Sequence, residues 1–243
     1  MRIAIIGAGS VGTNIHHAFE QKGIRTELIH ARPLTADPAP KAVVPEADCY
    51  IYAIADNALR EVVAKIDAPR ALHLHTSGSM PLEVFGADKP HAGILYFFQS
   101  FNREVLIDDW STIPCFIEGR NIDDVAAIYT LAQMLTSHIY ECNQHDRERL
   151  HIAGIFANNY TNLMYGIAAD ILRGTQIPFQ ALLPLIDRTA AKVHSLTPYD
   201  AQTGPAQRGD KAVIEHHLEI LKATPYHEVY QALAALIEKA QNH

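Results

Sequence analysis

Cysteine is scarce in this chain, and the few cysteines form no recognisable pattern. Among 243 residues, Cys49, Cys115 and Cys142 are far apart, odd in number and without C-x-x-C spacing. We therefore expect neither a disulfide framework nor a zinc site, and we predict no metal site. A reduced, cytoplasmic setting fits this usage.

Positive charge is also limited. Lys and Arg number 20 against 27 Asp and Glu, the net charge is −7, and no basic run occurs. This composition argues against nucleic-acid binding. No apolar run is long enough to span a membrane, and the first predicted strand begins at residue 2, so we expect neither a membrane span nor a signal peptide. The hydrophobic fraction of 48% is enough for a sizeable core.

A glycine-rich motif follows the first apolar run. Residues 2–6 (RIAII) predict a strand, and residues 7–12 (GAGSVG) place G-x-G-x-x-G between that strand and a predicted helix. In this pattern Gly7 allows the tight turn, Gly9 lets the backbone approach a pyrophosphate, and Gly12 lets the helix pack on its strand. The helix N-terminus then faces the phosphates. The motif predicts dinucleotide binding; the alternative is a glycine-rich turn in an α/β protein without a cofactor.

Strands and helices alternate in the first part of the chain, and helices alone follow. Strands are predicted at 2–6, 25–30, 48–53, 71–75, 93–98, 114–117 and 139–142, with helices at 10–22, 57–66 and 121–135. Further helices are predicted at 144–173, 179–196, 211–223 and 226–240. The expected fold is α/β, with a mostly parallel sheet in residues 1–143 and an all-α domain in 144–243. The middle of the first helix of that second domain, residues 150–172, is apolar on nearly every side, so we expect the helix to be buried all round.

The end of the second predicted strand bears on the choice of dinucleotide. An NAD site places an acid there for the ribose 2′-hydroxyl, whereas an NADP site can use an arginine for the 2′-phosphate. This chain has His30-Ala31-Arg32, and Glu27 lies inside the strand rather than at its tip. Because guanidinium suits phosphate geometry, Arg32 favours NADP(H) over NAD(H). A solvated loop arginine is the alternative.

Small hydroxyl residues follow the fourth predicted strand, at residues 76–79 (TSGS). Ligands of parallel sheets bind at the carboxyl ends of the strands, so Ser77 is a candidate for contact with nicotinamide or substrate. Alternatively, Ser79 caps a short helix. His73 and His75 share a face of the same strand; since no third ligand is placed near them, we interpret them as core or rim histidines.

Polar residues interrupt the long apolar helix predicted over 144–173. His151 and Asn158 share a helical face, and Asn159 lies about 80° round from that face. Such a face suits a carbonyl or imine reductase, in which one group protonates the substrate heteroatom and another orients it. The alternative is that these side chains hydrogen-bond between helices or at a subunit interface.

A polar loop covers residues 203–210 (TGPAQRGD). Its glycines and proline make turns, and Asp210 is expected to cap the helix that follows. Turn formation accounts for neither Thr203 nor Arg208. An arginine held on a rigid loop can bind a carboxylate in bidentate fashion, which makes Arg208 a candidate substrate-binding residue.

Several stretches together resemble a family of bacterial proteins known as DUF2520. The matching stretches are IAIIGAGSVG, HTSGS, LYFFQSF, RLHIAGIFANN and TGPAQRGD, with His217 seven residues beyond the last. The resemblance covers nearly the whole chain and implies a Rossmann-like NADP-binding domain followed by a helical domain. The family is similar to pyrroline-5-carboxylate reductase, ketopantoate reductase and the 6-phosphogluconate and β-hydroxyacid dehydrogenases.

The resemblance implies a polar set of site residues: Ser77, Gln99, His151, Asn159, Thr203, Arg208, Asp210 and His217. Of these we assign Ser77, His151, Asn159, Thr203 and Arg208 to the catalytic site. The predicted cofactor-binding set is Gly7, Ala8, Gly9, Ser10, Val11, Gly12, Arg32, Ala55 and Ser77.

The expected function is an NADP(H)-dependent oxidoreductase acting on a small carboxylate-bearing carbonyl, hydroxy or imine compound. The alternative is a protein that binds or senses NADP(H) without turnover. This alternative is considered because the long helix lacks the lysine that β-hydroxyacid dehydrogenases place there. If the protein is an enzyme, His151 is the candidate substitute for that lysine. Only three further helices are available to cover the long helix. We therefore expect a second copy of the chain to cover the rest, which would make the protein a homodimer through residues 144–243.

Overall fold

Seven short, mostly apolar strands form one sheet within residues 1–35 and 44–240, the part of the chain that the computed structural model describes. The strands are β1 (Ile3–Ile6), β2 (Thr26–Ile29), β3 (Cys49–Tyr52), β4 (Leu72–His75), β5 (Ala92–Phe97), β6 (Cys115–Gly119) and β7 (Ile139–Glu141). They lie in the order β2-β1-β3-β4-β5-β6-β7. Neighbouring strands are parallel except β5 and β6, which are antiparallel. The predicted mostly parallel sheet is confirmed.

The central strands β1, β3 and β5 are buried on both faces of the sheet, as expected for strands covered by helices. Alternate residues of β1 enter different cores: Ile3 and Ile5 pack in one cluster, and Ala4 and Ile6 pack in the other. All four residues of β1 are buried. This double burial keeps β1 rigid, which matters because the glycine-rich motif starts where β1 ends.

Five α-helices lie within the described part of the first 154 residues. They are α1 (Ser10–Gln21), α2 (Arg32–Thr35), α3 (Asp56–Ala64), α4 (Ile122–Gln133) and α5 (Gln144–Gly154). Asn121 caps α4, since its side chain accepts a hydrogen bond from the backbone N–H of Asp124 at 2.9 Å. The helices predicted over 10–22, 57–66 and 121–135 are thus present, with ends that differ by a residue or two.

The long helix predicted over 144–173 is built in three consecutive parts. After α5 come a π-helical segment (Ile155–Tyr160) and α6 (Thr161–Leu172). The expectation that this helix is buried all round is wrong for the single chain, because none of the described residues of α6 is buried.

The remaining helices are α7 (Leu183–Lys192), α8 (Pro205–Arg208), α9 (Lys211–Leu221) and α10 (His227–Ala240). The loop expected at residues 203–210 therefore contains one short helical turn. No helix in the described part of the chain is both long and apolar enough to cross a membrane.

Two compact units are formed, Met1–Asn159 and Tyr160–His243. Helix α5 belongs to the unit that contains the sheet, because its buried Arg147 pairs with Glu118 of β6. The division between the units thus falls inside the long helical stretch rather than before it. The assignment of 1–143 and 144–243 as functional domains stays a prediction.

Candidate functional site

The glycine-rich loop turns sharply at the carboxyl end of β1. Gly7 has a φ of 116°, a region that favours glycine, and a Cβ there would overlap the carbonyl oxygen of Ala53. A Cβ at Gly12 would overlap the carbonyl oxygen of Gly7. At Gly9, by contrast, a Cβ would meet nothing within 4 Å. Gly7 and Gly12 therefore serve the packing of the loop, and Gly9 leaves space beside the start of α1.

A cavity of about 900 Å³ lies at the carboxyl ends of β1, β3, β4 and β5, within the first unit. It is lined by most residues predicted for the cofactor, namely Gly7, Ala8, Gly9, Ser10, Val11, Arg32, Ala55 and Ser77, together with His151. Gly12 does not line it, in keeping with its packing role. In the strand order β2-β1-β3, successive strands are added on opposite sides of β1, so the topological switch point of the sheet lies at this cavity. Open parallel sheets bind their ligands at such a switch point.

The chemistry of this cavity fits a dinucleotide phosphate. Helix α1 begins after Gly9 without a side-chain cap, so the N–H groups of its first turn remain available to an anion. The exposed Arg32 supplies positive charge at the end of β2. The volume lies within the usual range for small-molecule and cofactor sites. An NADP-type cofactor would be held by the glycine-rich loop, Arg32, Ala55 and Ser77.

Residues 76–79 shape the rim of the cavity. The Ser77 hydroxyl accepts hydrogen bonds from the backbone N–H groups of Ser79, at 3.1 Å, and Met80, at 3.0 Å. The Ser79 hydroxyl donates to Asp56, at 2.9 Å. The alternative role of Ser79 as a helix cap is wrong, because Pro81 occupies the cap position of the following turn. Ser77 therefore organises the rim as well as lining it.

His73 and His75 are core residues of β4. Nδ1 of His73 pairs with the Tyr52 hydroxyl at 2.8 Å, and Nδ1 of His75 accepts from the backbone N–H of Ser77 at 3.2 Å. Both side chains are fully buried. Burial, assisted by the nearby Arg147 charge, lowers the pKa of His75 to about 4. Within residues 1–35 and 44–240, no group of three or more His, Cys, Asp or Glu side chains is arranged to hold a metal.

His151 reaches the cavity from α5. Its Nδ1 lies 3.1 Å from the hydroxyl of Tyr96, near the end of β5. The ring sits directly against Gly78, where a Cβ would lie 2.7 Å from Nδ1. His151, Ser77 and the glycine-rich loop are thus brought together around one space. Tyr96 was missed because an isolated tyrosine near the end of an apolar strand gives no signal of its own.

Arg147 fixes the position of α5, and no feature of the polar stretch around it predicted this. Its side chain has no exposed surface, forms an ion pair with Glu118, and donates to the carbonyl oxygen of Met80 at 2.8 Å. Gly154, seven residues further on, is close to Phe98, since a Cβ there would lie 2.6 Å from the ring. Arg147, His151 and Gly154 share the face of α5 that packs on the sheet.

A second cavity, of about 350 Å³, shares Tyr96, Gln99, Phe101 and His151 with the first. The π-helical segment forms one wall and places Asn159 in the lining. Segments of π-helix occur frequently at functional sites. The other residues lining this cavity are Phe98, Ser100, Gly154, Ile155, Ala157 and Asn158. It therefore combines aromatic surface with side-chain amides.

The remaining predicted site residues belong to the second unit. Arg208 is exposed, and its guanidinium bonds to the carboxylate of Asp210 at 3.2 and 3.3 Å. Asp210 holds the cap position of α9, but its side chain makes no capping hydrogen bond, so that expectation is wrong: the carboxylate pairs with Arg208 instead. Nδ1 of His217 pairs with the Tyr230 hydroxyl at 2.7 Å. The roles of the exposed Thr203 and of Arg208 stay predictions.

The second half of the sequence matches a known domain family. Residues 113–237 match DUF2520, a domain of unknown function. The chain is also similar to a candidate NADP oxidoreductase, BF3122 from Bacteroides fragilis, whose crystal structure it matches with 34% identity, 98% coverage of each chain and a TM-score of 0.88. The chain belongs to the DUF2520 family. No match is found among proteins with curated descriptions.

More distant solved structures share the fold. An imine reductase from Myxococcus stipitatus, in complex with NADP+, matches with 16% identity and a TM-score of 0.64, covering 100% of this chain and 94% of its own. A reductive aminase from Aspergillus terreus, in complex with NADPH and ethyl levulinate, matches with 16% identity and a TM-score of 0.67, covering 99% and 93%. This DUF2520 chain thus has the fold of NADP-dependent oxidoreductases, as the sequence predicted.

Proposed function

We propose that this protein is an NADP(H)-dependent oxidoreductase that reduces a small carboxylate-bearing carbonyl or imine compound, or oxidises the corresponding hydroxy or amino compound. The observation that carries the proposal is the shared lining of the larger cavity: the glycine-rich loop and His151 border the same space. A loop suited to dinucleotide phosphates and a side chain able to carry a proton are the two parts that such a reaction needs.

The cofactor half of the proposal assigns residues around α1 and β2. Gly9 and the first turn of α1 bind the pyrophosphate, and Arg32 binds the 2′-phosphate that distinguishes NADP(H) from NAD(H). Ala55 and Ser77 border the rest of the cofactor. When bound, the reduced nicotinamide supplies a hydride to the substrate carbon.

The protein supplies the proton and the orientation. Reduction of a C=O or C=N bond adds a hydride to carbon and a proton to oxygen or nitrogen. His151 is the proposed proton donor, because its ring lines both cavities. Asn159 and Gln99 carry amides that can orient the substrate heteroatom in the smaller cavity.

Arg208 is the proposed partner of the substrate carboxylate, and Thr203 of the same loop is a further candidate. Its guanidinium is presented on the short turn that α8 and Gly209 make, and Asp210 holds it in place. A planar guanidinium whose position is fixed by a short turn and an ion pair is suited to bidentate recognition of a carboxylate.

We also propose that the protein is a homodimer through its helical part. The π-helical segment and α6 expose Phe156, Leu163 and Ile171 by 64%, 55% and 50% of their surface. Burying such side chains against a second copy of the chain is favourable, at about 25 cal/mol for each Å² of apolar surface. Sedimentation equilibrium tests this: a monomer at micromolar concentration would contradict it.

The main proposal is tested in two steps on the full-length protein. Isothermal titration calorimetry with NADPH and NADH measures cofactor binding. The loss of NADPH absorbance is then followed with paired probes: 1-pyrroline-2-carboxylate against 1-pyrroline, and 2-oxobutanoate against butanone. We expect NADPH to bind and the carboxylates to be reduced faster than their uncharged partners. Binding without reduction of any probe would favour a sensor, and absence of NADPH binding would overturn the proposal.

A further inference from the structure

Tyr96 and His151 form a hydroxyl–imidazole pair at the place where the two cavities meet. Tyr96 lies on β5 and His151 on α5, and both line both cavities. The phenol oxygen is 3.1 Å from Nδ1 of the imidazole, within the range of a hydrogen bond. No other hydrogen bond to either side chain is formed within residues 1–35 and 44–240. Nε2 of His151 is thus the ring nitrogen left for a ligand.

The environment of Tyr96 favours a neutral phenol that keeps its proton. The residue is partly buried, and burial raises the pKa of its hydroxyl to about 12 even though the Arg147 charge acts in the opposite direction. A neutral phenol can donate to the lone pair of Nδ1. In a neutral imidazole only one nitrogen carries a proton, so a donor at Nδ1 places that proton on Nε2.

Gly78 determines where the ring can lie. A Cβ at this position would be 2.7 Å from Nδ1 and 2.8 Å from Cγ of His151. Contacts under 3.0 Å are essentially never seen for real Cβ atoms, so any larger residue would push the imidazole away from Tyr96. Arg147 also joins α5 to the same rim through a hydrogen bond to the carbonyl oxygen of Met80, so the helix is anchored where the ring meets Gly78.

We propose that Tyr96 and Gly78 are positioning residues that fix the ring and the tautomer of His151, so that the site presents an Nε2–H donor to its substrate. Gly78 fixes the location of the ring, and the Tyr96 hydroxyl fixes the location of the proton. As Nε2–H passes its proton to the substrate, Nδ1 takes the proton of the Tyr96 hydroxyl, which is restored from water, so the imidazole stays neutral. The inference deepens the proposed function and rests on it for the identity of the group that receives the hydrogen bond, a carbonyl oxygen or an imine nitrogen.

The test reads the tautomer directly and requires no turnover. Full-length protein is labelled with ¹⁵N-histidine, and the His151 signals are identified by their loss in His151→Gln. At a pH where the His151 signals no longer titrate, the wild type should show a protonated Nε2 and an unprotonated Nδ1. In Tyr96→Phe and in Gly78→Ala the two nitrogen shifts should move towards each other, because without the phenol donor a larger share of the rings carries the proton on Nδ1.

Two matched variants control for the loss of a hydroxyl and the gain of a methyl. Tyr140→Phe alters an exposed tyrosine on β7, and Gly166→Ala adds a Cβ that meets nothing within 4 Å. Both should leave the His151 shifts unchanged. A His151 tautomer that is the same in Tyr96→Phe as in the wild type, or an Nδ1–H tautomer in the wild type, would overturn the inference.

A kinetic readout separates this inference from the proposed function. With whichever probe is reduced, Tyr96→Phe should lower kcat by about three- to tenfold, the value of one hydrogen bond, and leave NADPH affinity unchanged. If NADPH does not bind, the proposed function fails while the tautomer measurement still decides the positioning role. If Tyr96→Phe oxidises NADPH at the wild-type rate and its His151 tautomer is unaltered, the positioning role is wrong while the proposed function stands.

Discussion

Arg147 of α5 donates a hydrogen bond to the main-chain carbonyl oxygen of Met80, 2.8 Å away. Met80 follows the rim residues that include Ser77 and Gly78, so this bond joins the helix carrying His151 to the strand ends that form the cavity. The other end of the same guanidinium pairs with Glu118. Site geometry therefore depends on a charge that has no exposed surface.

The buried ion pair predicts an asymmetric effect of removing its partners. Glu118→Gln leaves the fully buried Arg147 charge without a counter-ion, which should lower the free energy of unfolding by about 3–5 kcal/mol. Arg147→Met leaves a carboxylate that is 24% exposed and stays partly hydrated, so the loss should be smaller, about 1–3 kcal/mol. Urea denaturation of both variants checks this. An equal or reversed order would contradict the role given to burial.

Alanine substitutions at two glycines of the loop should have different effects, one on the stability of the fold and the other on NADPH binding. Gly12→Ala forces a Cβ against the carbonyl oxygen of Gly7 and should destabilise the fold by about 1–3 kcal/mol or more. Gly9 has a φ of −85°, which alanine also adopts, and an open surrounding. Gly9→Ala should therefore melt like the wild type but bind NADPH more weakly. Thermal melts and calorimetry distinguish the two, and weakened folding in Gly9→Ala would disprove the distinction.

Local patterns predicted the parts of this protein that local physics decides. The glycine-rich loop depends on steric limits within a few residues, and β1 and α1 flank it directly, so both its structure and its place in the cavity followed from the sequence. The start of α4 after Asn121 is a similar case, because the N-terminal cap of a helix forms between residues three apart in sequence.

Contacts distant in sequence explain what could not be predicted. The pairing of Tyr96 with His151 joins residues 55 positions apart, and it exists only because α5 returns to the end of β5. Arg147 sits among polar residues typical of an exposed helix, yet it is buried. Asp210 had two available partners, the helix N-terminus and Arg208, and only the structure shows that the ion pair forms.

Cofactor preference should depend on Arg32. A guanidinium bonded to a phosphate contributes about 1.5–3 kcal/mol, so Arg32→Ala should weaken NADPH binding by about tenfold or more. NADH has no 2′-phosphate, and its affinity should change little. Calorimetric titration of wild type and variant with both cofactors measures this. Loss of affinity for NADPH and NADH by the same factor would show that Arg32 does not read the 2′-phosphate.

Stability should fall in mild acid because of His75. Its pKa is about 4 in the folded protein and about 6.5 when unfolded, so the unfolded state binds the proton first as pH falls. The stability linked to His75 is thus fully present above about pH 6.5 and is lost as pH drops towards 4. From about pH 7 to about pH 5, the wild type should lose about 2 kcal/mol more than His75→Asn. The free energy of unfolding of both proteins is measured by urea denaturation across this pH range. An equal loss in the wild type and in His75→Asn would refute the prediction.

The role of His151 as proton donor leads to the most direct prediction. His151→Ala removes the only described imidazole that lines both cavities, and loss of a positioned acid usually lowers the rate by about 10²–10⁴-fold. Because the glycine-rich loop and Arg32 are untouched, NADPH affinity should stay close to that of the wild type. His145→Ala, which alters an exposed histidine of the same helix, is the matched control and should reduce the probe normally. Full activity in His151→Ala would mean that the histidine only packs α5 on the rim at Gly78, and a loss of NADPH binding together with activity would place its role in the cofactor site instead.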